Sequence, residues 1–152
     1  MSSLHAPTLS PAELDQWREQ GYVRLGHIAP AEEIDGLCQR IDDIMLGRVK
    51  YENMRLQLFD DDGTIRRTRG NEVATLDYRR IDDLEQDPIF LAYIQNPLFH
   101  QIAQRYIGGQ VSVFRSMFMN KPPEISQALG WHQDVGVGWG IDTNPITTVW
   151  TA

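Results

Sequence analysis

No disulfide can form within this chain, because Cys38 is its single cysteine. No secretory leader is visible either: Met1-Ser2-Ser3-Leu4-His5-Ala6-Pro7 has no basic segment followed by an apolar run. The expected setting is therefore a reducing cytosol. Long hydrophobic runs are missing as well. The longest spans only Ile89 to Ile94, far short of the ~18 residues that cross a bilayer, so no membrane partner is expected. Positive charge is in short supply. Fourteen Lys and Arg against twenty-one Asp and Glu leave a formal net charge of −7. That balance argues against nucleic acid as the main partner, since phosphate binding needs clustered cations that outweigh the acidic background. A local basic patch remains compatible with a small anion. Repeats and low-complexity segments are also absent.

What is present is ordinary for a globular protein: 152 residues, 41% hydrophobic and 23% charged. That length is one domain's worth, 1–152, with a helical region over about 10–108 and strands from about 110. Ser10-Pro11-Ala12-Glu13 predicts a helix start with a capping box, Leu14 and Trp17 on one face, and Gly21 as its end. Tyr22 to Leu25 alternates and predicts a short strand. A second helix starts at Pro30, with Glu32 and Glu33 in its first turn and an apolar stripe through Ile34, Leu37, Cys38, Ile41 and Met45, closed by Gly47. Cys38 is expected as a small buried hydrophobe, since nothing nearby would make it a thiolate.

Residues 48–80 read as irregular, with Leu56-Gln57-Leu58-Phe59 and Thr64-Ile65-Arg66 able to pair around Asp60-Asp61-Asp62-Gly63. The three aspartates lack the later ligands of a calcium loop and read as a solvated turn. Arg66, Arg67, Arg69, Arg79 and Arg80 are within reach of an anionic ligand, although a solvated loop balanced by local acids is the better expectation for Arg66 to Arg69. Two short helices follow: one from Pro88, and one capped by Asn96 with Leu98, Ile102 and Tyr106 on a face, ended by Gly108-Gly109. His100, His27 and His5 are expected at the surface. From Val111 to Asn120 the period becomes two, with Val113, Arg115, Met117 and Met119 on one face. Ile146 to Thr151 predicts another strand.

The chemistry centres on Trp131-His132-Gln133-Asp134, between Lys121-Pro122-Pro123 and the glycines Gly136, Gly138 and Gly140. On a strand, residues two apart face the same way, so His132 and Asp134 would present an imidazole and a carboxylate side by side. Two His and one carboxylate on one face of a metal, with open positions opposite, form the site of non-haem Fe(II) oxygenases. Alone, His-x-Asp recurs by chance in many proteins. Structural zinc is disfavoured, since closed zinc sites use several cysteines.

The run Met117-Phe118-Met119-Asn120-Lys121-Pro122-Pro123, then Trp131-His132-Gln133-Asp134, then Val149-Trp150-Thr151-Ala152, resembles the phytanoyl-CoA dioxygenase family of Fe(II)- and 2-oxoglutarate-dependent oxygenases. The resemblance implies an α+β fold in which N-terminal helices pack on a double-stranded β-helix, or jelly-roll, barrel that is incomplete in this chain. It implies His132 and Asp134 as metal ligands and catalytic residues. It places Met117 and Trp150 against 2-oxoglutarate, where core packing would otherwise be the reading of both. Counting back without gaps from Asn-Lys-Pro-Pro puts the family's cosubstrate-binding cation at Arg80, an Arg where some relatives have Lys, which keeps the charge and changes the geometry. The implied cofactors are Fe(II), 2-oxoglutarate as cosubstrate and O2. The implied reaction is hydroxylation of an unactivated C–H bond in a small molecule, with release of succinate and CO2. Halogenating relatives carry a small residue in place of the Asp, so Asp134 points to hydroxylation. The third iron ligand and the 2-oxoglutarate-binding Arg are expected beyond Ala152, so that residues 1–152 alone are expected to be inactive. The alternative is a jelly-roll module that binds a ligand without turnover.

Overall fold

The computed structural model describes residues 8–60, 62–121, 130–132, 134 and 147–152. The expectations for His5, Gln133, Ile146, the Pro122-Pro123 turn and the glycines at 136, 138 and 140 lie outside them. The chain divides into two compact units. One comprises Ala29–Ile94 and Val113–Ser126, the other Met1–Ile28, Gln95–Ser112 and Gln127–Ala152. Among the described residues no helix is long and apolar enough to cross a membrane.

The first unit is an α+β layer. Helix α2 (Ala31–Met45) buries Leu37, Ile41, Ile44 and Met45 on one stripe. Cys38 does not join them. It is exposed, because it sits at the edge of that stripe while Ile44 takes the central place. Below the helix, strands β1 (Arg55–Phe59), β2 (Ile65–Arg69), β3 (Tyr78–Asp82) and β4 (Met117–Met119) form one open antiparallel sheet in the order β2-β1-β3-β4. Period-two alternation turns Leu56 and Leu58 toward α2, their register partners Tyr78 and Ile81 face the same way across a bulge in β3, and Met54, Leu84 and Phe90 complete the cluster. Each such side chain, fully buried, contributes about 1.5–3 kcal/mol of transfer free energy. The hairpin β1–β2 pairs Phe59 with Ile65 and Leu56 with Thr68, as the Asp60–Gly63 turn predicts. Strand β3 enters with a register shift opposite Gln57 and Leu58, a bulge that puts Arg79 and Arg80 in succession.

Among the described residues three strands thus precede the last two helices, and the helices-first order expected from the sequence is corrected. Strand β4 is also shorter than the expected Val111–Asn120. Only the residues opposite Arg80, Ile81 and Asp82 pair, since β3 ends at Asp82 and leaves the residues before Met117 no strand edge on that side. Phe118 packs against the core, while Met117 and Met119 lie on the other face with Asp82 and Arg80, their register partners.

Two local devices hold the unit. Helix α3 (Pro88–Ile94) is anchored by Asp87, which is fully buried. Its carboxylate accepts from the backbone N–H of Ile89 at 2.8 Å and Phe90 at 3.2 Å, from Arg40 Nε at 2.6 Å and from the Tyr51 hydroxyl at 2.8 Å. Burial pushes this carboxyl up, but the bonds from Tyr51, Arg40 and the two amides outweigh it and hold it below the ordinary range. Gly70 turns the chain after β2 at φ 71, and a Cβ there would stand 3.3 Å from the Tyr51 carbonyl oxygen.

In the second unit, helix α1 (Pro11–Gln20) carries the expected capping box between Ser10 and Glu13 and ends at Gly21 with φ 75. Helix α4 (Pro97–Ile107) is capped by Asn96, whose side chain accepts from the Leu98 N–H at 2.9 Å. The rings of Trp17 and Tyr106 stack with centroids 4.3 Å apart and join the two helices. Tyr22 to Leu25 is not a strand, because no described strand pairs with it. Residues 147–152 form no strand either.

Candidate functional site

His132 and Asp134 come together in the second unit, but not on a strand: 130–132 is irregular and Asp134 lies in a bend. What the i, i+2 spacing delivers is convergence. His132 Nε2 stands 3.2 Å from Asp134 Oδ1, and Nδ1 lies 2.8 Å from the Gly130 carbonyl oxygen. A carbonyl oxygen only accepts, so Nδ1 is the donor in that bond. Nε2 therefore points its other edge at a carboxylate oxygen, and a proton or a metal cation between the two reconciles them. An outer hydrogen bond to a backbone carbonyl is also how a metal-bound imidazole is commonly oriented. The side chains are 50% and 33% exposed, which leaves the pair open to an entering ion. The donor set, one imidazole nitrogen and one carboxylate, fits iron(II). Among the described residues no group of three His, Cys, Asp or Glu is placed to hold a metal.

Arg80 and Met117 belong to the other unit, on the face of the sheet that the core does not cover. The face carries Gln57 opposite Arg80 and Arg67 opposite Gln57. Arg80 donates to one oxygen of Asp82 from Nε at 3.0 Å and Nη2 at 2.6 Å. The Asp82 carboxylate is 5% exposed, so it fixes the guanidinium, while Nη1 is left for another acceptor. Arg79 donates to Gln57 Oε1 at 2.8 Å and lies over the Phe59 ring. Trp150 is 74% exposed, and the expected strand Ile146–Thr151 that was to place it is absent from 147–152. His100 and His27 are exposed, as expected.

A family model for phytanoyl-CoA dioxygenase (PhyH) matches residues 17–152. The chain belongs to the phytanoyl-CoA dioxygenase family. No curated protein and no solved structure matches it.

For a phytanoyl-CoA dioxygenase family member, the face around Arg80 is more basic than its sequence suggested. A cleft of about 440 Å³ there is lined by Arg55, Arg67, Arg69, Arg80, Arg115 and Asp82, among others. Arg55 chelates Asp83, with Nε 2.7 Å from Oδ2. That hydrogen bond raises the guanidinium's pKa and lowers the carboxyl's. Asp83 is the only non-glycine residue at positive φ among the described ones, at 65°, a conformation that Asp tolerates better than most. Arg66, by contrast, is balanced by Asp60 at 2.9 Å and Glu72 at 2.8 Å, as a solvated strand edge would be. Sequence reasoning missed Arg55 and Asp82. The available signal was their phase, since Arg55 alternates with Leu56 and Leu58, and Asp82 with Ile81.

Proposed function

We propose that the protein is a non-haem Fe(II)- and 2-oxoglutarate-dependent dioxygenase that hydroxylates an unactivated C–H bond of a small molecule. The observation that carries this is the 3.2 Å approach of His132 Nε2 to Asp134 Oδ1 within the match to the phytanoyl-CoA dioxygenase family. When bound, iron(II) with 2-oxoglutarate and O2 supplies the oxidation: one oxygen atom goes to the C–H bond and the other to succinate, with loss of CO2. His132 and Asp134 hold the metal, and the Gly130 carbonyl fixes the ring. Asp134 fills the position that halogenating relatives leave open, so hydroxylation is the outcome. Arg80, steadied by Asp82, pairs with a 2-oxoglutarate carboxylate, and Met117 and Trp150 border that cosubstrate on apolar surfaces. The fold proposed to carry the site is a jelly roll, to which the open sheet β2-β1-β3-β4 would contribute, and the setting is cytoplasmic. The test is anaerobic calorimetry of 2-oxoglutarate binding with and without Fe(II). Metal-dependent binding that is lost in Asp134→Ala supports the reading, and binding that is equal with and without metal, or equal in wild type and variant, overturns it.

A further inference from the structure

The face of the sheet turned away from the core places like charges opposite one another. Arg55 of β1 is the direct register partner of Arg69 of β2, an arrangement that destabilises an antiparallel pair unless something negative intervenes. Asp83 neutralises Arg55, and Asp82 neutralises Arg80. Arg67 and Arg69 have no acidic partner among the described residues, although the chain as a whole carries a formal charge of −7. Both line the same cleft of about 440 Å³ as Arg55, Arg80 and Arg115, and Gln57, opposite Arg67, adds an amide to its floor. Two exposed forks on one strand, two residues apart, point to the same side.

We infer that this cleft is a binding site for a phosphate-bearing small molecule, with Arg67 and Arg69 as the residues that grip the phosphate. One guanidinium fork satisfies both oxygens of a carboxylate. A phosphate monoester has three acceptor oxygens and close to two negative charges, so it uses two forks where a carboxylate uses one. The neutralised pairs Arg55–Asp83 and Arg80–Asp82 serve as a fixed wall, and the uncommitted charge is concentrated on β2. Because Arg67 and Arg69 are exposed, they are free to be replaced without disturbing the core. The inference is independent of the iron chemistry, since neither residue belongs to the His132–Asp134 pair.

Calorimetry with inorganic pyrophosphate as probe, at low ionic strength and without metal, tests it on the whole chain. Wild type binds, and the double variant Arg67→Gln/Arg69→Gln binds about ten-fold or more weakly, the scale of losing charge-assisted hydrogen bonds. Arg67→Lys/Arg69→Lys, which keeps the charge and loses the fork, falls between them. Arg66→Gln removes one cation from the same strand but outside the cleft, and it binds as wild type does. His132→Ala also binds as wild type, which separates this site from the metal reading. No binding by wild type, or equal weakening by Arg66→Gln, overturns the proposal. Equal binding by wild type and Arg67→Gln/Arg69→Gln also overturns it, because the phosphate would then be held elsewhere.

Discussion

Replacing Asp87 by Ala is expected to be among the most damaging single changes in the sheet unit. The carboxylate is fully buried and satisfies four donors at once: two amides at the start of α3, the Arg40 guanidinium and the Tyr51 hydroxyl. Removing one partner of a buried ion pair costs about 3–5 kcal/mol. Arg40 keeps 20% of its side chain in contact with water, which puts the loss near the lower end, at about 3 kcal/mol. Against a total stability of roughly 5–15 kcal/mol, that is a large share. Asp87→Asn keeps an acceptor for the two amides and loses the charge, so it costs less, on the order of 1–2 kcal/mol. The charge also fixes the pH dependence. The folded-state pKa of Asp87 is depressed, so its contribution is fully present above the unfolded value of about 3.9 and is lost as pH falls through the folded one. Urea unfolding followed by circular dichroism, at neutral pH and again at successive acidic pH values, reads both effects. The gap between wild type and Asp87→Asn should hold from neutrality down to about pH 4 and shrink below it. A loss under about 1 kcal/mol in Asp87→Ala, or a gap that stays constant into strong acid, would refute the assignment of this network.

Gly70→Ala should destabilise by about 1–2 kcal/mol, because it forces an L side chain to φ 71 with its Cβ 3.3 Å from a backbone oxygen; an unchanged melting temperature would show that the turn relaxes freely. Cys38 should react with a thiol reagent in the native protein as readily as in the denatured one, since it is exposed, and Cys38→Ser should be neutral within about 0.5 kcal/mol. A thiol that reacts only on unfolding would contradict the exposure.

Helices were the legible part of the fold, because their signals are local. Ser10-Pro11 with Glu13, Asn96-Pro97 and the stripe from Leu37 to Met45 each satisfy donors or bury a face within a few residues. The sheet was half legible. Leu56-Gln57-Leu58 alternates and Asp60–Gly63 marks its turn, whereas β2 reads Ile-Arg-Arg-Thr-Arg and β3 reads Tyr-Arg-Arg-Ile-Asp. Their arginines mask the strand pattern, and the bulge at Arg79 breaks the alternation in β3. Both strands exist because partners across the sheet supply hydrogen bonds, which a single-sequence pattern does not show. The reverse holds for Val111–Ser116 and Tyr22–Leu25, which alternate and yet pair with no strand among the described residues. In the site, spacing conveyed that His132 and Asp134 converge, though without the strand that motivated it. The outer-face phase of Arg115, Met117 and Met119 was also readable. The uncompensated charge of Arg67 and Arg69 was not, because whether an acid lies nearby depends on register: Asp60 and Glu72 both reach Arg66, and no other described acid reaches Arg67 or Arg69.

The most direct test of the central claim is an anaerobic titration of the chain with Fe(II), in wild type, His132→Ala and Asp134→Ala. If the imidazole and the carboxylate 3.2 Å apart are ligands of one ion, either substitution lowers the affinity by at least about ten-fold, the lower bound even for residues that only support a ligand. Equal affinity in all three proteins would place the metal elsewhere and contradict the account.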